Sequence, residues 1–144
     1  MDEKILEQFR LLTLYTQYLE EIAKTPREQF LASFIYKGSA ERYLQLAIEC
    51  CINIANRLLS ICQMDKPAKT PETYADIFIE LGRLEIIPQE FTDTMIRMVR
   101  FRNRMVHMYW NIDPDQIYNI LTENVSDFMR FREYIIASMN LCSG

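Results

Sequence analysis

The residues best equipped for chemistry lie in Arg102-Asn103-Arg104-Met105-Val106-His107-Met108-Tyr109, which holds the single histidine of a 144-residue chain. Histidine is the side chain whose ordinary pKa suits proton transfer near neutrality. Arg102 stands five positions earlier, and its guanidinium can hold a phosphate and lower the energy of a phosphorane-like transition state. The phenol of Tyr109 follows two positions after the histidine. An arginine, an imidazole and a phenol near the end of a helical run point to phosphodiester chemistry.

These groups must be positioned by helices. No stretch alternates apolar and polar residues cleanly, whereas 3.6-residue periodicity recurs along the chain. The pattern predicts an all-α, up-and-down bundle of about five main helices in one domain spanning 1–144. The first runs from about Asp2 to Lys24, with Ile5, Phe9, Leu12, Tyr15/Thr16 and Leu19 on one face and Pro26 closing it. A short helical piece at Glu28–Tyr36 leads to Gly38-Ser39, where Ser39 is the expected N-cap of a long helix Ala40–Ile61. A loop rich in Lys and Pro spans Gln63–Thr70. Thr70-Pro71 then starts a helix that Gly82 ends. Pro88 opens a helix from Gln89 to about His107, and Asp113-Pro114-Asp115-Gln116 launches the last, to about Leu141. Short connections favour antiparallel neighbours.

On a wheel of about 100° per residue, Met95, Met98, Val99, Phe101, Met105 and Val106 span one apolar arc with Arg102 in its middle. Arg97, Arg100 and Arg104 fall on the opposite side, as a solvated face or an RNA-facing patch. A charge on an apolar stripe is costly unless it is paired or faces a wet cleft. Arg102 is therefore either an ion-pair partner for an acidic residue elsewhere or a cleft residue. His107 falls roughly 140° from Arg102 on an uninterrupted helix. Convergence of the two requires the helix to end or loosen near His107, or a site shared between subunits. The Met-rich arc is broad for one helix, so part of it is expected at a subunit interface.

The Ser39–Ile61 segment carries a polar stripe of Arg42, Glu49, Asn53, Asn56 and Ser60, which reads first as a solvent face. Glu49 and Asn53, one turn apart, could instead meet Arg102 and solve its buried-charge problem.

Composition narrows the class. The chain is 49% hydrophobic with only 3 Gly and 5 Pro, which disfavours disorder and turn-rich all-β folds. A net charge of −4 argues against a general nucleic-acid coat while leaving room for a local basic site. Of Cys50, Cys51, Cys62 and Cys142, none forms a Cys-x-x-Cys pair, and with one histidine no zinc-like cluster is expected. The first three lie in one apolar helical segment and read as reduced core cysteines. No membrane span and no signal peptide are expected, which reads as a cytoplasmic protein.

Taken with its flanks, the segment 101–109 resembles the Arg-Asn-x3-His-x-Tyr signature of HepT-like toxins of the HEPN superfamily. Asn111-Ile112-Asp113, Glu41-Arg42-Tyr43-Leu44-Gln45-Leu46-Ala47-Ile48-Glu49 and Leu81-Gly82-Arg83-Leu84-Glu85-Ile86-Ile87-Pro88 extend the resemblance over most of the chain, in the expected order. The resemblance implies a helical bundle that homodimerises, bringing two Arg-x4-His motifs around one cleft. It implies a metal-independent endoribonuclease that needs no cofactor, with the histidine assisting attack by the RNA 2′-hydroxyl and the arginine steadying the phosphate. It also implies a minimal nucleotidyltransferase antitoxin that transfers AMP to the motif tyrosine. Arg102 and His107 would then be catalytic, with Asn103, Glu49 and Asn53 in support. Tyr109 would be the modified residue, and Arg97, Arg100 and Arg104 would be candidate RNA contacts. Asn53 stands where relatives commonly carry an aspartate, which alters the local charge balance. The alternative is a non-catalytic HEPN helper subunit that binds nucleotide or RNA for a partner nucleotidyltransferase. A plain helical interaction protein with Arg102 in a structural ion pair is the third reading.

Overall fold

Asp2 begins the first helix by accepting a hydrogen bond from the Ile5 amide at 3.1 Å, so α1 spans Glu3–Ala23. It buries Ile5, Phe9, Leu12, Thr16 and Leu19, the stripe its periodicity predicts. The computed structural model describes residues 2–62 and 71–142, and the expected loop at 63–70 lies outside them. Among the described residues the chain forms seven α-helices, one 3-10 turn and no strand.

After the short α2 (Arg27–Ala32), the central helix α3 runs from Phe34 to Cys62. The expected N-cap at Ser39 is therefore corrected. The Oγ of Ser33 accepts from the Tyr36 amide at 3.1 Å and starts the helix six residues earlier than Ser39 would. Gly38 and Ser39 ride inside α3, since one interior glycine costs only about 1 kcal/mol and packing overrides it. α3 touches every other α-helix, and buries residues such as Leu44, Ile48, Cys51, Ile54, Ala55 and Leu58 between them. Contrary to the sequence expectation, α3 is long and apolar enough by composition to cross a membrane. In this fold it serves as the core helix of the bundle.

The next helix, α4 (Tyr74–Arg83), begins later than expected. Its cap is Thr73 rather than Thr70, in a reciprocal box with Asp76: the Asp76 amide donates to Thr73 Oγ1 at 3.1 Å, and the Thr73 amide donates to Asp76 Oδ2 at 3.1 Å. Gly82 does not end it. The residue of positive φ is Glu85 (60°), and the Ile86 amide closes the turn on the Leu81 carbonyl at 3.0 Å. Gly82 matters for contact instead, because a Cβ there would sit 2.5 Å from Thr92 Oγ1 on the next helix.

α5 spans Gln89–His107 behind Pro88, as its sequence signals indicate. A 3-10 turn follows at Tyr109–Asn111. The expected final helix is two helices, α6 (Pro114–Glu123) and α7 (Ser126–Cys142). They part at Asn124, whose backbone sits near φ −121°, ψ −5°. Asparagine leaves a helix readily because its side chain competes for backbone hydrogen bonds. The extra helices change the count from five to seven without changing the all-α class.

Most of the Met-rich face of α5 turns inward. Met95, Val99, Phe101 and Met105 are buried among its own helices, Met98 is half-buried, and Val106 of the same arc is exposed. Exposed apolar side chains include Phe34-Ile35-Tyr36 and, at the end of α5 and beyond it, Val106, Met108, Tyr109 and Trp110. Cys50 and Cys51 are free, buried thiols. Cys62, read from sequence as reduced, is disulfide-bonded.

Candidate active site

Arg102 projects from α5 toward α3. Glu49 of α3, between the buried Ile48 and Cys50, receives it: Arg102 Nε and Nη2 both donate to Glu49 Oε2, at 3.2 and 3.1 Å. Gln45, one turn earlier on the same face, donates Nε2 to that oxygen at 2.9 Å. Asn103 Oδ1 accepts from Arg102 Nη1 at 3.2 Å. The Arg102 side chain is only 15% exposed and that of Glu49 30%, so the pair is largely withdrawn from water. Tyr74, the first residue of α4, packs its ring 5.2 Å from the guanidinium carbon.

This arrangement fixes the guanidinium and still leaves it useful. Arginine has five N–H donors. Among the described residues three are committed, to Glu49 and Asn103, which leaves one on each Nη for a phosphate. The charge that looked anomalous on an apolar stripe is thus both paired and available.

His107 is the last residue of α5 and is exposed. The Met108 amide donates to the Arg104 carbonyl at 2.8 Å, so the helix holds its form through His107 and ends directly after it. The five-residue interval from Arg102 therefore keeps its helical geometry, about 140° of rotation and about 7.5 Å of rise. One chain turns the imidazole away from the side on which the guanidinium is held. The helix does end at His107, but it does not loosen between Arg102 and His107.

Tyr109 opens the 3-10 turn with its ring 73% exposed, edge-on to Trp110 at 5.4 Å between centroids. It borders a pocket of about 210 Å³ with Glu41, Arg42 and Gln45 of α3, Met105, and Ile112. Gln45 thus belongs to the pocket and to the Arg102–Glu49 network at once. Asn53 is not brought to Arg102: it is exposed and donates to Gln8 Oε1 of α1 at 3.3 Å. Arg97 and Arg100 are exposed and Arg104 half-buried; Arg97 donates to Thr94 Oγ1 at 3.2 Å, and Arg104 lies 5.9 Å from the Phe101 ring.

Two contributors escaped the sequence reading. Tyr74 carries no first-turn signal when the helix is expected from Thr70-Pro71, nearly a turn earlier than the α4 that forms. Gln45 had a usable signal, its four-residue spacing from Glu49.

The model of the ribonuclease HepT-like family matches residues 12–135. The chain belongs to that family. It is 31% identical over 111 residues to the tRNA nuclease HepT of Aphanizomenon flos-aquae, covering 77% of this chain and 73% of that protein. It is 30% identical over 109 residues to the mRNA nuclease HepT of Shewanella oneidensis, covering 76% of this chain and 79% of the relative. Among solved structures, a tri-AMPylated Shewanella oneidensis HEPN toxin in complex with MNT antitoxin matches with a TM-score of 0.86 at 26% identity, over 95% of this chain and 99% of that one. This HepT-like chain therefore shares its bundle with HEPN toxins, and its Arg-x4-His segment lies inside the matched region.

Proposed function

We propose that this chain is the endoribonuclease toxin of a toxin–antitoxin pair, working as a cytoplasmic homodimer without metal. The observation that carries this reading is the state of Arg102: desolvated, clamped by Glu49 and Asn103, and left with two N–H donors, on a helix that ends at His107. In this role Arg102 holds the scissile phosphate of RNA. His107 takes the proton of the neighbouring 2′-hydroxyl as that oxygen attacks phosphorus; the bond to the 5′-oxygen breaks and that oxygen takes a proton from water, leaving a 2′,3′-cyclic phosphate and a 5′-hydroxyl end. Because one chain turns the two groups apart, the imidazole that completes each site comes from the second copy. Tyr109 is the modification site, and its exposure suits transfer of AMP by a nucleotidyltransferase antitoxin. The added anionic nucleotide then opposes entry of the RNA phosphate by charge and bulk.

The test is cleavage of total cellular RNA in EDTA by protein whose intact mass shows Tyr109 unmodified. Wild type is expected to cut, while Arg102→Ala and His107→Ala each fail. Mixing the two silent variants and allowing subunit exchange should restore partial cleavage, since the mixed dimer has one site with both groups intact. No restoration would overturn the shared site. Equal silence of all three would overturn the nuclease reading and favour the helper subunit.

A further inference from the structure

The pocket beside Tyr109 has properties that holding Arg102 does not require. Glu41 and Arg42, adjacent on α3, have no hydrogen-bond or ion-pair partner among the described residues. Glu41 is half-buried, and burial pushes its carboxyl above the usual carboxylate range, with Lys37 partly opposing. A partly desolvated carboxylate with unfilled lone pairs is matched by a ligand that offers N–H donors. Met105 and Ile112 supply apolar wall, the Tyr109 ring offers a face for stacking, and a side chain at Gly38 would meet nothing, so the mouth is open. Gln45 completes the lining and connects it, through Glu49, to the Arg102 guanidinium.

From these features we propose that this pocket is a guanine subsite for a nucleotide flanking the cleaved phosphate, with Glu41 reading the base and Arg42 holding the phosphate attached to it. The proposal rests on the ribonuclease reading above and deepens it by naming a specificity residue. Only guanine sets two N–H donors, N1–H and N2–H, side by side on its Watson–Crick edge. A carboxylate, which only accepts, can meet both. Uracil would turn two carbonyl oxygens toward the same carboxylate, and adenine and cytosine each set a ring-nitrogen acceptor beside their amino group. Arg42, exposed and unpaired, suits a phosphate at the pocket's rim. The Gln45–Glu49 bond gives base recognition a direct path to the arginine that holds the scissile group.

The test measures equilibrium binding of the 3′-monophosphates of guanosine, adenosine, cytidine and uridine to full-length wild type and to His107→Ala, which binds without cutting. Guanosine 3′-monophosphate is expected to bind about ten-fold tighter than the others. Glu41→Gln should bring it level with the rest, with Glu41→Ala as the second variant and thermal melts confirming that both fold. Arg42→Gln should weaken all four alike. Equal binding of all four nucleotides, or an unchanged preference in both Glu41 variants, would overturn the subsite. RNA cleavage run in parallel separates the two readings. Normal cleavage without base preference sinks the subsite alone. A guanine preference lost in the Glu41 variants, beside absent cleavage, supports the pocket and sinks the nuclease.

Discussion

Glu49→Ala should destabilise the fold more than Arg102→Ala, although Arg102 is the residue proposed to touch substrate. The asymmetry follows from what each variant strands. Removing Glu49 leaves a guanidinium whose side chain is 15% exposed, with Asn103 as its one remaining hydrogen-bond partner among the described residues and the Tyr74 ring against it. Breaking a buried pair by removing one partner costs about 3–5 kcal/mol, whereas fully exposed pairs contribute about 0.2–1 kcal/mol. This pair lies between those limits, so Glu49→Ala should cost about 2 kcal/mol, or about 5 °C in Tm for a domain of this size. Removing Arg102 instead leaves a carboxylate that is 30% exposed and still receives the Gln45 amide at 2.9 Å. Its cost should be about 1 kcal/mol, much of it lost packing of the arginine stem. Urea unfolding of wild type, both single variants and the double variant measures all of this, and the double variant should be less unstable than the two losses summed. If Arg102→Ala is the less stable of the pair, or the two losses simply add, then Glu49 does not compensate a desolvated charge and the argument fails.

Gly82→Ala should destabilise by about 1–3 kcal/mol by forcing its Cβ against Thr92 Oγ1 2.5 Å away, and the same change in a Thr92→Ala background should cost less in matched melts. Burial pushes the Cys50 thiol up to about 12 and raises that of Cys51 further from reactivity. Neither should react with iodoacetamide at neutral pH until the protein unfolds, as mass spectrometry of the labelled peptides would report. The Arg57 guanidinium beside Asp2 holds its carboxyl below the usual value of 3.8. A depressed folded-state pKa contributes stability that is complete above the unfolded value and is lost as pH falls through the folded one. Asp2→Asn should therefore be less stable than wild type at neutral pH, with the gap closing in strong acid.

Helix identity was legible wherever a stripe and a stop signal agreed. α1 shows its burial pattern in Ile5, Phe9, Leu12, Thr16 and Leu19, and α5 is bracketed by Pro88 and the residues after His107. The errors came where two residues could serve as the same signal. Ser33 and Ser39 are both acceptable N-caps, and only packing of the intervening turn decides between them. Thr70 and Thr73 pose the same choice, resolved by the reciprocal bond that Asp76 can make to Thr73 alone. At the site, the Arg102–Glu49 pair followed from burial logic, because a charge in an apolar arc needs a partner. Asn53 did not follow its helix neighbour: it donates to Gln8 of α1 instead, a long-range partner that spacing within α3 does not encode. Tyr74 enters from a third helix, and no spacing within α3 or α5 encodes that approach.

The neutralised state of Arg102 bears on why the proposed site would draw on a second copy. Pairing with Glu49 brings the local charge near zero, so a single chain offers a phosphate two directed donors and little net attraction. Apart from Arg42 at the pocket rim, the positive charge near the motif lies on Arg97, Arg100 and Arg104, on the other side of α5, the side toward which His107 is turned. If two copies meet with these surfaces opposed, the partner's basic face supplies the field that Glu49 cancels, together with the imidazole. Salt then becomes a discriminating variable. RNA binding should weaken steeply with ionic strength, and Arg97→Gln with Arg100→Gln should flatten that dependence while leaving the guanine preference intact. A salt slope unchanged in that double variant would assign phosphate attraction elsewhere and remove this electrostatic reason for the shared site.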